Sequence, residues 1–261
     1  MTNKSLRIKL VKKRDYPEIK KLERAFEISD DGDVCIAAGG DGTFIKAARE
    51  FDGPILPLRG GEDGSTGYYS DMEINRIDTV ITALKSKKYS VEDISSKIEV
   101  SFGQKKYFAV NEILLRNLLK EVYFKVYHIN KGERKLLYPF VMSGDGLLVS
   151  GRVGSTAYNR NAGGPIILSP KVICLTFLFV ESPFSNPIVL DNDSELFIEV
   201  VKGKGMLTYD NIDIGEAAPG DHFSIKQSDK PIKMIRLDGF REDFSQKLAR
   251  MIKSKMKDEA Y

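Results

Sequence analysis

At 261 residues, with 42% hydrophobic and 30% charged residues, the chain has a globular composition and room for one large domain or two small ones. A formal net charge of +3 leaves no electrostatic footprint for nucleic acid, yet it would not repel a polyanionic small substrate. Cys35 and Cys174 lie in apolar runs and read as buried free thiols of a reducing cytoplasm. The charged residues 1–13 are not a signal peptide, and the longest apolar run, 172–180, is too short to cross a bilayer.

Residues 6–11 alternate apolar and basic and predict a first strand. Over 16–26, Ile19, Leu22 and Phe26 fall at helical spacing. A strand over 34–38 then leads into Gly39-Gly40-Asp41-Gly42-Thr43, with a helix predicted over 43–51 and a strand over 54–58. Strand and helix alternate, which favours a parallel α/β sheet with ligands at the carboxyl ends of its strands. The glycine-aspartate turn sits at such an end. Glycines let a ligand approach the backbone, and the first N–H groups of a helix have no internal partner and suit phosphate. A carboxylate there repels phosphate, so Asp41 fits a proton acceptor or a metal ligand, and its side chain has no structural partner legible in the sequence. The alternative for this stretch alone is an ordinary Gly-Asp-Gly turn, the lesser of the two readings.

A second glycine-rich loop over 59–70 ends in Tyr68-Tyr69, whose rings could stack on a base or simply pack beneath the loop. A helix follows over 75–87, with Ile77, Val80, Ile81 and Leu84 on one face. From about Ser90 the pattern becomes short alternating segments: 97–102, 106–110, 121–129, 135–142, 147–150, 172–179, 188–190, 195–201, 206–209 and 222–227. These predict a β sandwich or layered sheet. Residues 241–256 carry Phe244, Leu248, Met251 and Ile252 at helical spacing, and this terminal helix is expected to return to the first domain. The expected organisation is an α/β N-terminal domain, 1–92 with 240–261 returning to it, and an all-β C-terminal domain, 93–239.

Two constellations lie in the β region. Asn111-Glu112 interrupts an apolar strand and offers donor and acceptor to ribose hydroxyls, or else forms a bulge at a strand edge. Gly144-Asp145-Gly146, then Gly151-Arg152-Val153-Gly154-Ser155-Thr156-Ala157-Tyr158, then Asn161 and Gly163-Gly164-Pro165 crowd glycine turns, hydroxyls and a tyrosine together. Loops this rich seldom serve only as connectors, and Tyr158 could cover a planar base. With only His128 and His222, and no other ligand at recognised spacing, a zinc site is not expected. Neither a Gly-x-Ser-x-Gly elbow nor a Walker A loop is present.

In order and spacing these motifs resemble the NAD kinase family over most of the chain. The carriers are Gly39-Gly40-Asp41-Gly42-Thr43, Asn111-Glu112, and the run from Gly144-Asp145-Gly146 through Gly154-Ser155-Thr156-Ala157-Tyr158 to Gly163-Gly164-Pro165. Gly64-Ser65-Thr66-Gly67-Tyr68-Tyr69, Asn186-Pro187-Ile188-Val189 and Tyr209-Asp210-Asn211 match more weakly. The turn alone is shared with diacylglycerol kinases, sphingosine kinases and phosphofructokinases. The resemblance implies ATP-dependent phosphorylation of the 2′-hydroxyl of the adenosine ribose of NAD, with magnesium carried on the nucleotide. Asp41 would be the base. Gly40, Gly42 and Thr43 would lie at the phosphates, with Lys46 one turn on, and Asn111 and Glu112 on the ribose. Tyr68, Asp145, Val153, Thr156, Ala157, Tyr158, Asn161 and Asn211 complete the expected binding set. It also implies a homodimer or homotetramer that engages neither nucleic acid nor membrane.

The sequence departs from the family where Thr-Pro-Thr/Ser usually precedes Gly154. Here Gly151-Arg152-Val153 removes a hydroxyl that usually faces adenine. The 59–69 loop is also longer and carries Glu62 and Asp63. Two other readings are therefore kept: a kinase of the same superfamily acting on a different nucleoside or polyol, and a non-catalytic dinucleotide-binding regulator.

Overall fold

The computed structural model describes residues 6–60, 67–182 and 184–258. Glu62, Asp63 and the Gly64-Ser65-Thr66 part of the second loop lie outside the described residues. The chain forms two compact units, one of Met1–Asp93 with Ile232–Tyr261 and one of Ile94–Pro231.

The first unit is an α/β layer. Its parallel strands run in the order Glu27–Ile28, Arg7–Lys12, Val34–Ala38, Ile55–Arg59. Ile55 also pairs in parallel with Met234, near the end of the long strand His222–Leu237. All five residues of Val34–Ala38 are buried, as befits an inner strand of a parallel sheet covered on both faces. Helices Ile19–Ala25, Asp41–Glu50 and Ile77–Lys85 bury Ile19 and Leu22, Phe44, Ala47 and Ala48, and Ile77, Val80 and Leu84. These are spacings that put the apolar side chains on one helical face. The first helix starts three residues later than the apolar spacing predicts. Pro17 disfavours the helical region for Tyr16, and the chain first makes turns through Ile19 N–H to the Tyr16 carbonyl and Lys20 N–H to the Pro17 carbonyl. The helix after the glycine turn starts earlier than predicted, at Asp41 rather than Thr43. Gly40 is extended at φ −93° and ψ −168°, and its carbonyl accepts from Thr43 N–H and Phe44 N–H. The terminal helix Phe244–Asp258 belongs to this unit, as its apolar spacing predicts.

The second unit is built from antiparallel strands in two layers. One sheet runs Ile188–Asp191, Val172–Leu178, Gly146–Ser150, Glu112–Asn117, Gly205–Tyr209, Ile212–Ala217. The other layer contains Glu133–Leu136, Val122–Asn130 and Glu195–Lys202, with the start of His222–Leu237 beside it. Ile113, Leu115, Leu147 and Val149 from the first layer share one core with Phe124, Val126, Leu196 and Ile198 from the second. The alternate residues Leu114, Leu148 and Leu178 form a separate apolar cluster against Ala162. The segment that follows Gly146–Ser150 thus covers the outer face of its own sheet, and these strands are buried on both sides. The predicted strand over 135–142 is two pieces, Glu133–Leu136 and Met142–Gly144, with Pro139 in the gap, where it has no N–H to give a ladder. No helix among the described residues is long and apolar enough to cross a membrane.

Candidate active site

In the first unit the chemistry gathers around Asp41. As the first residue of its helix, it adds a negative charge where the helix dipole favours one. The N–H groups of Asp41 and Gly42 open the helix and so have no acceptor within it. Gly39 is required by close approach, because a Cβ there would collide with the Thr43 hydroxyl and lie 3.0 Å from the Lys13 Cβ. Gly42 is different: a Cβ added there meets nothing within 4 Å. Among the described residues, no crowding demands glycine at that position, and Lys46, one turn on, is exposed.

The Asp41 carboxylate is itself held. Tyr68 N–H donates to Oδ2 at 3.1 Å and Tyr69 N–H to Oδ1 at 3.2 Å. The expectation of a side chain without a structural partner is corrected here. Burial raises its pKa, opposed by those two N–H groups and then by the positive charges of Arg250 and Lys247. The tyrosine rings resolve differently. Tyr69 is 9% exposed and stacks on Phe44 at 5.0 Å, so it packs beneath the loop and offers no face to a base. Tyr68 meets Tyr69 edge-on at 5.0 Å, and the Lys247 ammonium lies 6.0 Å from its ring centre.

In the second unit, the strand register places Glu112 opposite Ser150, and Gly154 packs so closely on the Asn111 backbone that no side chain fits there. Residues 110–112 are organised by Asp210. Its carboxylate accepts from Val110 N–H at 2.9 Å, Asn111 N–H at 2.7 Å and Glu112 N–H at 3.4 Å. Asp210 and Asn211 both have positive φ, 46° and 63°, at the tip of the hairpin joining Gly205–Tyr209 to Ile212–Ala217. That is the two-residue turn for which Asp and Asn are suited. Asn211 is thus accounted for by the turn it makes, and Asp210 is the residue that sequence reading passed over. A Tyr-Asp-Asn-Ile hairpin signal was there to find it.

Three buried polar atoms in this corner have no hydrogen-bond partner among the described residues: Asn111 Oδ1, Glu112 Oε2 and Ser150 Oγ. Buried acceptors are normally satisfied, so a cluster of exceptions points to a ligand. Glu112 is 4% exposed, and burial, reinforced by the Asp210 charge, pushes its pKa up to about 7.

The remaining predicted residues divide. Val153 is 1% exposed and is packing; the hydroxyl lost by that departure from the family pattern is lost from the interior, and Val153 presents no surface to a base in this structure. Beside it, the Arg152 guanidinium donates to the Ile94 carbonyl at 3.0 Å, and Ser155 Oγ donates to the Arg152 carbonyl at 2.8 Å. Thr156 and Ala157 are half-buried, Tyr158 is 36% exposed and Asn161 is exposed. Gly164 is fixed by Asn159, whose fully buried amide donates to the Pro165 carbonyl at 3.0 Å and would collide with any Cβ at Gly164. Asp145 does not join this group. It precedes the strand whose far end is Ser150, roughly 17 Å along an extended chain. It accepts from the Asn117 amide at 2.9 Å.

A helix start whose first N–H groups have no acceptor in the helix, with a carboxylate in its first turn at the end of a parallel strand, is the geometry a phosphotransferase requires. Residues 2–89 match the ATP-NAD kinase N-terminal domain and residues 126–237 the ATP-NAD kinase C-terminal domain; the chain belongs to the ATP-NAD kinase family. The NAD kinase of Agathobacter rectalis is 31% identical over 229 residues, 82% of this chain and 78% of that one. That of Acetivibrio thermocellus is 31% identical over 222 residues, 81% and 75% of the two chains. The fold is that of yeast NADH kinase, solved with NADH, at a TM-score of 0.78 and 18% identity over 100% of this chain and 90% of that one. It is also that of an NAD kinase from Archaeoglobus fulgidus, solved with ATP, at a TM-score of 0.72 and 18% identity over 94% and 99%.

Two outcomes are expected. The Glu112 pKa is raised in the folded chain, so its contribution to stability is fully present below pH 4.5 and is lost as pH rises through about 7. That window is worth up to about 3 kcal/mol. In denaturant titrations at pH 5 and pH 8, Glu112→Gln should remove this part of the loss; identical pH dependence in both proteins would show that the carboxyl titrates normally. Val153→Thr should cost about 1–3 kcal/mol by burying a hydroxyl. An unchanged unfolding midpoint would show that the hydroxyl reaches water or a partner.

Proposed function

We propose that Asp41 is the general base of this ATP-dependent NAD kinase, taking the proton of the adenosine 2′-hydroxyl as that oxygen bonds to the γ-phosphorus of ATP. The bond from the γ-phosphorus to its bridging oxygen breaks, ADP leaves, and NADP is formed. The carrying observation is Gly42: an exposed glycine inside a helix, with open space where its Cβ would be, beside a carboxylate held by two backbone N–H groups. Gly in a helix costs roughly 0.5–1 kcal/mol relative to Ala, and among the described residues nothing offsets that cost by crowding. A phosphate close to the backbone would.

Phosphoryl transfer asks mainly for positioning and charge neutralisation. The N–H groups of Asp41 and Gly42, with Gly40, Thr43 and Lys46, would hold the phosphates. Asn111 and Glu112 would hold ribose hydroxyls through the acceptors that have no partner among the described residues. Thr156, Ala157, Tyr158 and Asn161 would border the bases. Magnesium would be carried on the nucleotide, held chiefly by its phosphate oxygens. There it would neutralise charge on the transferring group. Burial raises the Asp41 pKa, and a base whose pKa moves up towards the working pH accepts a proton more readily.

Asp145 suits a homo-oligomer. It lies a strand-length from Glu112 on its own sheet, and Leu119, 96% exposed, and Phe179, 88% exposed, follow the strands that end beside it. That end would meet a second copy, where Asp145 would serve a nucleotide held by the neighbour. A cytoplasmic location accords with Cys35 and Cys174, both free and buried, the thiol of Cys35 pushed up to about 12 by burial.

Asp41→Asn sets an NH2 group against one of the two backbone N–H groups, so it should lower the unfolding midpoint modestly while keeping the fold and the KM values, and kcat should fall about 10²–10⁴-fold in a coupled NADP-forming assay; a fall under about tenfold rules out the base assignment. Gly42→Ala should leave stability unchanged or raise it by up to about 1 kcal/mol, while turnover with Mg-ATP drops sharply. Full activity in a stabilised Gly42→Ala protein would mean that no phosphate approaches there.

A further inference from the structure

The carboxylate at Asp41 is oriented by two consecutive N–H groups, so its aim depends on what fixes residues 67–70. That short turn is closed by Ser70 N–H to the Gly67 carbonyl at 3.0 Å, with Gly67 at φ 51°. One side chain spans it. Arg250, on the terminal helix, donates from Nη1 to the Gly67 carbonyl at 2.8 Å and from Nη2 to the Ser70 carbonyl at 3.1 Å. The guanidinium is held from its other edge by Glu242 Oε2, at 3.2 Å from Nε and 2.6 Å from Nη2.

We propose that Arg250 is a positioning residue for phosphoryl transfer, gripping the two carbonyls that bracket Tyr68 and Tyr69 and thereby fixing the N–H groups that aim Asp41. The inference rests on Asp41 being the base.

The terminal helix does not need this contact to dock. Lys247, 6% exposed, is bound to Asp71 at 2.7 Å, Asp71 is bound in turn to Arg236 at 2.5 Å, and Met251 is 8% exposed. Arg250 therefore does something beyond holding the helix down. A rigid planar fork can bridge two carbonyls on one face; a lysine ammonium is a point donor and cannot hold both in fixed relation. Arg250 and Lys247 are also the positive charges that act on Asp41 from the terminal helix, against Asp71 and Glu242 as their own counter-charges. A misplacement of about 1 Å in a reacting group costs on the order of 10²-fold in rate.

The test compares Arg250→Gln, Arg250→Lys, Asp41→Asn and the Arg250→Gln, Asp41→Asn double variant, using ATP and NAD. Arg250→Gln should lower kcat about 10–100-fold with both KM values within about twofold, as a lost alignment would. The acid limb of its kcat profile should move to higher pH, because a cation and the fixed N–H groups no longer favour the ionised carboxylate. Arg250→Lys should return the limb towards wild type without restoring kcat. Added to Asp41→Asn, Arg250→Gln should cost nothing further, since its effect passes through the missing carboxylate. The proposal fails if Arg250→Gln keeps wild-type kcat, if it raises a KM with kcat unchanged, or if its loss multiplies that of Asp41→Asn. Should Arg250→Gln not fold, Arg250→Lys decides: wild-type kcat there excludes the fork. Failure of the base assignment is read separately, from Asp41→Asn alone.

Discussion

A carboxylate taken out of water in the first turn of a helix needs donors, and at Asp41 they come from a different part of the chain. Tyr68 and Tyr69 can supply two N–H groups because the 67–70 turn presents consecutive amides, with Gly67 in a left-handed conformation. The turn is anchored below by Tyr69 on Phe44, a residue of the same helix that begins with Asp41. It is anchored above by Arg250. Strand, helix, second loop and terminal helix therefore converge on one side chain. Removing the terminal helix would take away two cations and both carbonyl contacts, so residues remote in sequence from the glycine turn bear on its chemistry.

A second carboxylate plays the complementary part in the β unit. Asp210 gathers the N–H groups of residues 110–112 and so holds that stretch out of a regular ladder. The chain then has backbone satisfied by Asp210 and side chains, Asn111 and Glu112, of which Oδ1 and Oε2 have no partner among the described residues. Leaving a buried acceptor unpaired costs about 1–3 kcal/mol, and a fold tolerates several together when a ligand completes them. Two acids thus act in opposite ways. Asp210 is spent on architecture, whereas Glu112 is kept underbonded and, with a pKa of about 7, is poised between charge states.

Legibility in the sequence followed how local each cause was. The strand-helix alternation, the antiparallel region and the terminal helix came from periodicity, because burial on one face or both leaves its trace within a few residues. Asp41 stood out as a carboxylate inside a glycine turn between strand and helix, and Asn111 and Glu112 as a polar pair interrupting an apolar run. What escaped reading was long-range. The Tyr-Asp-Asn-Ile signal marks the hairpin at Asp210 but not the stretch a hundred positions earlier that its carboxylate binds, and nothing in the helix 244–258 distinguishes Arg250 from its basic neighbours. Tyr69 was ambiguous because stacking on a base and stacking on Phe44 require the same ring. The early helix start at Asp41 was missed because Gly40 and Gly42 both read as turn residues, although only Gly40 is extended.

The departure at Gly151-Arg152-Val153 takes on a different meaning in three dimensions. Read along the chain, it removes a hydroxyl from a base-binding segment and so bears on which acceptor is used. In the fold, Val153 is interior, Arg152 is tied to the Ile94 carbonyl, and Gly151 lies against Ser95 and Ile98. The substitutions form one packing solution, shared with the strand Tyr89–Phe102 that runs beneath them. Under the proposed function, recognition of a base would fall to the residues that do keep exposed or half-exposed surface, Thr156, Ala157, Tyr158 and Asn161. Those belong to the part of the family pattern that this chain retains. A change of acceptor would be expected to alter that rim, and the interior beneath it can be repacked without altering what the rim presents.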